Sequence, residues 1–249
     1  MLEWIEPDEP LPDLRSVFST AVTKDADLPN GLIAVGRDLS ATRLIEAYSA
    51  GIFPWFVDGQ PVLWWSPDPR MVLYLDEFSI PKSLAKTVRK VTREHSLVLT
   101  MDQQFSAVML ACAAPRTGQD GTWITADMIN AYIDLHAMGL AHSIEVWQPT
   151  ADTEPLLVGG LYGVSLGQMF FGESMFTRVN NGSKIALVYL VNMLRDQGFR
   201  MIDCQQNTDH LARFGAREIN RSDFLSEVAQ LVVKPAPDWR ALQQNFHPA

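Results

Sequence analysis

Cysteine is nearly missing from this chain. Of 249 residues only two are cysteine, Cys112 and Cys204, and they stand far apart without metal-ligand spacing. That excludes a disulfide framework and a thiolate metal site, and a reducing compartment is expected. Long hydrophobic runs are missing as well: no stretch of about 18 apolar residues occurs, so the sequence offers nothing to span a bilayer. The opening segment MLEWIEPDEPLPDL is acidic and proline-rich, has no apolar stretch, and does not read as a secretory signal. These absences point to the cytoplasm, where the sequon-like Asn181-Gly182-Ser183 carries no glycosylation meaning. Positive charge is in short supply too. With 20 Lys and Arg against 29 Asp and Glu, the net charge is −9, which for the chain as a whole argues against a nucleic-acid partner. There is no internal repeat or low-complexity tract. His142 and His210 lack the companions that a metal site needs, and each reads as structural.

What is present is an ordinary globular composition, 47% hydrophobic and 20% charged. It suits one large domain or a medium one with a smaller companion. The beginning of the chain is rich in Pro and Gly, and a boundary is expected near residue 62, giving a small N-terminal domain over 1–62 and a second domain over 63–249. The first domain holds a helix over 40–50, capped by Asp38 or Ser40 and closed by Gly51, with Leu44, Ile45 and Tyr48 as its buried stripe. A second helix is expected over 80–93, where Leu84, Val88 and Val91 share one face. A third is expected over 125–138, ended by Gly139. The period then changes to two: HSIEVWQ and LLVGGLYGVSLGQMFFGESMF read as three antiparallel strands with Gly-rich bends. An apolar helix over 183–197, the strand FRMIDCQ, a short helix over 208–214, the strand AREIN and a last helix capped by Ser222 complete the order. The layout is α+β, with a mostly antiparallel mixed sheet, and it resembles the core of the GNAT acyltransferases. In such folds, neighbouring strands part and open a cleft where an acyl donor meets an amine.

Five features bear on chemistry. Gly163-Val164-Ser165-Leu166-Gly167 matches the G-x-S-x-G elbow of serine hydrolases, but that elbow needs a helix after the serine, and here a strand follows. The segment 176–182 before the apolar helix has one glycine where a coenzyme A pyrophosphate would need a glycine-rich backbone cradle. Lys82, Lys86, Arg89, Lys90 and Arg93 occupy one helix face without an intervening acid; they are either a solvated surface or a guide for a polyanion. Three of the seven tryptophans, Trp55, Trp64 and Trp65, fall close together. Trp64 and Trp65 read as core, while Trp55 and Trp123 are candidates for stacking on unpaired bases. Finally, Glu173 interrupts the apolar strand FFGESMF, and Asp203 and Gln205 end the strand MIDCQ, where strict alternation points both to one side. They either satisfy strand ends or take part in catalysis.

Several blocks in order, PNGLIAVGRDLS, RLIEAYSAGIFPWF, LWWSPDPRMVL, GTWIT, AHSIEVW, LVGGLYGV, FFGESMF and MIDCQ followed by DHLARFGAREI, resemble the bacterial leucyl/phenylalanyl-tRNA–protein transferases. The likeness covers about residues 29 to 224 and departs at Arg37, where the family usually has Gly. It implies a small N-terminal domain followed by a GNAT-like catalytic domain. It also implies transfer of leucine or phenylalanine, with methionine as a further candidate, from aminoacyl-tRNA to the α-amine of proteins beginning with Arg or Lys, marking them for degradation. Asp203, Gln205 and Glu173 would be catalytic, with Gln205 orienting the amine and Asp203 supporting its amide. Trp55 and Trp123 would flank the terminal adenosine of the tRNA, and the five basic residues of 82–93 would hold the acceptor stem. Leu161, Met175, Leu187, Leu190 and Ile202 would line the pocket for the transferred side chain. The likeness implies no cofactor, ATP, metal, DNA or membrane partner, and the chain is expected to be a monomer. The rival readings are a coenzyme-A-dependent N-acyltransferase, a non-catalytic reader of tRNA ends or basic N-termini, and a hydrolase using Ser165.

Overall fold

The computed structural model describes residues 2–14, 28–115 and 122–246. Its early elements are β1 (Glu3–Ile5), β2 (Leu32–Gly36), α1 (Ala41–Ser49), β3 (Phe53–Pro54), β4 (Val62–Trp65), β5 (Arg70–Tyr74), α2 (Lys82–Glu94), β6 (Val98–Met101) and α3 (Phe105–Ala113). Then follow α4 (Ala126–Ala137), β7 (Ala141–Gln148), β8 (Leu156–Leu166), β9 (Met169–Thr177), α5 (Gly182–Asp196), β10 (Met201–Gln205), α6 (Asp209–Ala212), β11 (Arg217–Ile219), α7 (Arg221–Leu231) and α8 (Trp239–Gln244). The fold is α+β with mixed sheets. A four-stranded sheet runs β1-β2-β4-β3 and a seven-stranded sheet runs β11-β5-β10-β9-β8-β7-β6. Among the described residues no helix is long and apolar enough to cross a membrane.

Local chemistry explains the helices. The Ser40 side chain accepts the Arg43 amide and starts α1, as expected for an N-cap. Thr125 does the same for α4 through the Met128 amide. The buried residues of α1 are Arg43, Leu44, Ala47 and Tyr48; Ile45 is half-buried. The expectation that Ser222 caps the last helix is corrected. α7 already begins at Arg221, Asn220 holds the cap position, and a further helix, α8, follows. The apolar segment FSAVMLACA forms α3, which the sequence pattern did not distinguish because apolar residues fill nearly every position.

The seven-stranded sheet is covered on both faces, so its central strands are apolar at almost every position. Along β5, Val72 and Tyr74 join the cluster shared with α1, α3, α4 and α7, while Met71 and Leu73 join the cluster shared with α2 and α5. The same cluster that holds Val72 also takes in Ile5, Ala34 and Trp64 from the four-stranded sheet. Between β8 and β9 the two backbones meet so closely at Gly163 that a Cβ there would lie 2.3 Å from the Phe171 carbonyl oxygen. The sheet thus tolerates only glycine where the β8–β9 register shifts between Tyr162 and Gly163.

β9 and β10 are parallel, joined by the crossover helix α5. They pair only at Phe170 with Ile202 and Phe171 with Asp203, and then part. The other neighbour of β10 is β5, in antiparallel register. This parting, in the middle of a sheet closed on both faces, opens the site described below.

Gly163→Ala is expected to cost roughly 1–3 kcal/mol, the usual range for forcing atoms into a packed interior. Urea unfolding of the two proteins measures it; an unchanged midpoint would mean that the strands separate freely at this point.

Candidate active site

Where β9 and β10 diverge there is a cavity of about 590 Å³. Leu161, Met175, Leu187, Leu190 and Ile202 all line it and form an apolar end. Trp55 and Trp123 line it as well. Trp55 is 40% exposed and packs edge-on against buried Trp65 at 5.7 Å, while the Trp65 indole donates to the Trp55 carbonyl at 2.7 Å. Trp64 and Trp65 are core, as the sequence indicates.

The polar end is built from four elements. Glu173, at the middle of β9, accepts from the Tyr48 hydroxyl of α1 at 2.7 Å and from the Tyr132 hydroxyl of α4 at 3.1 Å. The two tyrosine hydroxyls also lie within hydrogen-bond distance of each other, so their two protons are shared among three contacts. The Gln205 side-chain amide donates to the same carboxylate at 2.9 Å. Burial is the main cause that pushes the Glu173 carboxyl up to about 7. The tyrosine and glutamine donors pull it back, and the nearby Asp203 charge raises it further. Burial, then the charge of Glu173, raises the hydroxyl of Tyr48 and that of Tyr132 well above the ordinary phenol value. Both therefore keep their protons at neutral pH.

Asp203 is fully buried and faces Arg70, which is fully buried too. The pair is bidentate, with Nε–Oδ1 at 2.8 Å and Nη2–Oδ2 at 2.6 Å. The guanidinium lies between the rings of Phe53 and Phe224, at 4.7 and 4.4 Å, and also donates to the Gly51 carbonyl at 3.3 Å. The arrangement corrects two sequence expectations. Asp203 supports Gln205 through its backbone, accepting the Gln205 amide N–H at 2.9 Å, and makes no bond to the side-chain amide. The simple alternation of residues 203 and 205 also fails, because a register shift lies between them and Gln205 has φ 61°. A non-glycine residue in this left-handed region is strained, and here the Asp203 carboxylate holds the N–H that the shift leaves unpaired.

Other expected residues stand apart from this centre. Lys82, Lys86, Arg89, Lys90 and Arg93 are all exposed on α2, and none lines the cavity. Lys90 and Arg93 approach Glu94, at 3.9 and 3.0 Å. Ser165 is buried in β8, and its strand turns through Gly167 into β9 with no helix after it, so the hydrolase elbow is not formed. His142 meets Asp102 at 2.7 Å and stacks on Trp239 at 3.7 Å, away from the cavity. His210, in contrast, lines it. Arg70, Tyr48 and Tyr132 were missed as site residues. A lone arginine between the prolines of SPDPR and the apolar strand MVLY was the signal available for the first.

Two family descriptions match the chain. Leucyl/phenylalanyl-tRNA protein transferase matches residues 72–229, and the N-terminal domain of that family matches residues 37–68. A leucyl/phenylalanyl-tRNA–protein transferase of Bordetella petrii is 51% identical, over 100% of this chain and 96% of its own. One from Paraburkholderia phytofirmans is 53% identical, over 96% of this chain and 94% of its own. Among solved structures, FemX overlaps 62% of this chain and 60% of its own, at 11% identity and a TM-score of 0.45.

Two outcomes are expected at the polar end. The fold favours the neutral form of Glu173, so the stability linked to it is complete below its ordinary value of 4.5 and is lost as pH rises through about 7. Glu173→Gln should flatten the fall in Tm across that window, and an undiminished fall would locate the titration elsewhere. At the buried pair, Arg70→Met and Asp203→Leu should each cost about 3–5 kcal/mol. The double variant should cost less than the sum, and strict additivity in urea titrations would mean that the two charges are not coupled.

Proposed function

The chain is an aminoacyltransferase of the leucyl/phenylalanyl-tRNA–protein transferase family, and from that premise we propose that it moves leucine or phenylalanine from tRNA onto the α-amine of proteins beginning with Arg or Lys, marking them for degradation. The observation that carries the reading is the two-ended cavity: an apolar end and a Glu173–Gln205 polar end, lined by two tryptophans. An aminoacyl ester has the same two ends. Its side chain enters between Leu161, Leu187, Leu190 and Ile202, and Met175 adapts to branched or aromatic shapes. The terminal adenine stacks on Trp55 and Trp123. The α2 cations take the phosphates of the acceptor stem. The four-stranded sheet runs through Trp65 and the seven-stranded sheet begins at Arg70, which supports a small N-terminal domain but puts the change of sheet after β4, a few residues beyond position 62. The parting of parallel β9 and β10 supports a GNAT-like catalytic domain.

The ester already carries the driving force, so the protein must bring amine and carbonyl together in line. The Gln205 amide N–H is committed to Glu173, which leaves its carbonyl oxygen to accept from the incoming amine. Nitrogen adds to the ester carbon, the ribose oxygen leaves, and the amine proton ends on that oxygen. Glu173, poised near neutrality, holds positive charge on an amine without leaving the pocket permanently anionic. Asp203 and Arg70 act behind this pair by fixing the Gln205 backbone.

The test is transfer of labelled leucine from Leu-tRNA to a peptide with N-terminal Arg. Label should enter that peptide without ATP and should not enter one with N-terminal Glu. Gln205→Ala should lower kcat/KM roughly 10²-fold, the scale of a lost positioning contact. Transfer at the wild-type rate by Gln205→Ala and Asp203→Ala would sink the assigned roles, and absence of transfer by the wild type would sink the reading.

A further inference from the structure

A second basic feature lies beside the cavity, separate from α2. Lys184 stands in the first turn of α5, one turn before Leu187, which lines the cavity. His210 of α6 lines the cavity itself. Arg213 follows three residues later at the end of α6, so it shares a side of that turn with His210. Burial, then the charges of Lys184 and Arg213, hold the His210 imidazole below the ordinary histidine range.

Among the described residues no acid is paired with this group. Among the described residues Lys184 and Arg213 form no ion pair or side-chain hydrogen bond, and Asp209 in the same short helix pairs with neither. The His210 Nε2 is buried without a partner, so no bond ties that nitrogen in place. In a chain of net charge −9, two cations without an ion pair beside a histidine of the cavity wall make a local positive patch that an anion can join.

We propose that Lys184, Arg213 and His210 form a phosphate seat for the unpaired 3′ strand of the donor, next to the nucleoside that occupies the cavity. The proposal rests on the transferase reading above and deepens it. A strand whose last nucleoside enters the cavity must bring its adjoining phosphodiester past the cavity wall. The α2 cations do not line that wall, whereas His210 does, with Lys184 one turn from a second lining residue. An acidic group on the acceptor protein is the other anion that could meet these side chains, and the experiment separates the two.

Three donors of graded length are compared: leucyl-adenosine without phosphate, the leucyl ester of a short single strand ending in cytidine-cytidine-adenosine, and full Leu-tRNA. The acceptor is a peptide with N-terminal Arg and no acidic residue. For Lys184→Gln/Arg213→Gln, KM for the two phosphate-bearing donors should rise about tenfold with kcat kept, and the salt slope for the short strand should fall by about one to two. Transfer from leucyl-adenosine should not change. Half-buried Lys184 and exposed Arg213 suit a polar substitution, and Arg213→Gln alone repeats the comparison with a smaller shift should the double variant fail to fold. An equal loss on leucyl-adenosine, no loss on the short strand, or a loss seen only with acidic acceptor peptides would each overturn the phosphate seat. Wild-type protein that transfers from none of the three donors would instead overturn the transferase reading itself.

Discussion

Arg70 and Asp203 meet with both side chains fully excluded from solvent, 133 residues apart in sequence. Two such charges are costly to desolvate, and a pair of this kind is kept less for net stability than for the positions it enforces. Here it enforces four. The guanidinium is fixed at the start of β5, rests between Phe53 and Phe224, and reaches the Gly51 carbonyl. The carboxylate is fixed near the end of β10 and takes the next-but-one backbone N–H. The turn after α1, the two strands and α7 therefore share one rigid joint, and the polar end of the cavity is built on it. The ring contacts are each worth about 0.5–2 kcal/mol and also keep the charge planar and oriented.

On that joint stands a network of neutral donors around one carboxyl. Tyr48 and Tyr132 come from different helices, yet both hydroxyls converge on Glu173. Their phenols resist ionisation because a carboxylate and a buried environment both oppose a second negative charge. Burial raises Glu173, while three hydrogen bonds limit the rise. The balance leaves Glu173 able to change charge near neutral pH, while the two tyrosines beside it hold their protons. Such a division of roles among adjacent titratable groups is common where proton transfer accompanies bond making.

Much of this was legible in the sequence, because local signals and burial agreed. Ser40 and Gly51 bracket α1, Thr125 starts α4, and the two-residue period with Gly-rich bends gives β7, β8 and β9. The five apolar positions of the cavity were readable as core, and the family blocks singled them out as pocket. What escaped has physical causes. α3 is apolar on nearly every side and has no side-chain cap, so no period marks it. Tyr48 and Tyr132 occupy buried helical positions that any large apolar residue could fill; only the third dimension shows where their hydroxyls point. Arg70 finds its partner across a sheet whose order, β11-β5-β10, no local pattern encodes. The left-handed Gln205 breaks the alternation on which strand arguments depend.

The same residue narrows what position 205 can become. Its backbone conformation favours Gly, Asn or Asp, which enter the left-handed region most easily. Its side chain must span to Glu173 and carry an N–H there. Glycine satisfies the first demand and abandons the second. Asparagine keeps the amide but is one methylene shorter. Glutamate keeps the length and places a second anion against the first. No single replacement meets both demands, so variation here is confined by geometry on one side and by charge on the other. A family could drift at this position only by moving the bulge, and moving the bulge would first require releasing the Asp203 carboxylate from the backbone it now holds.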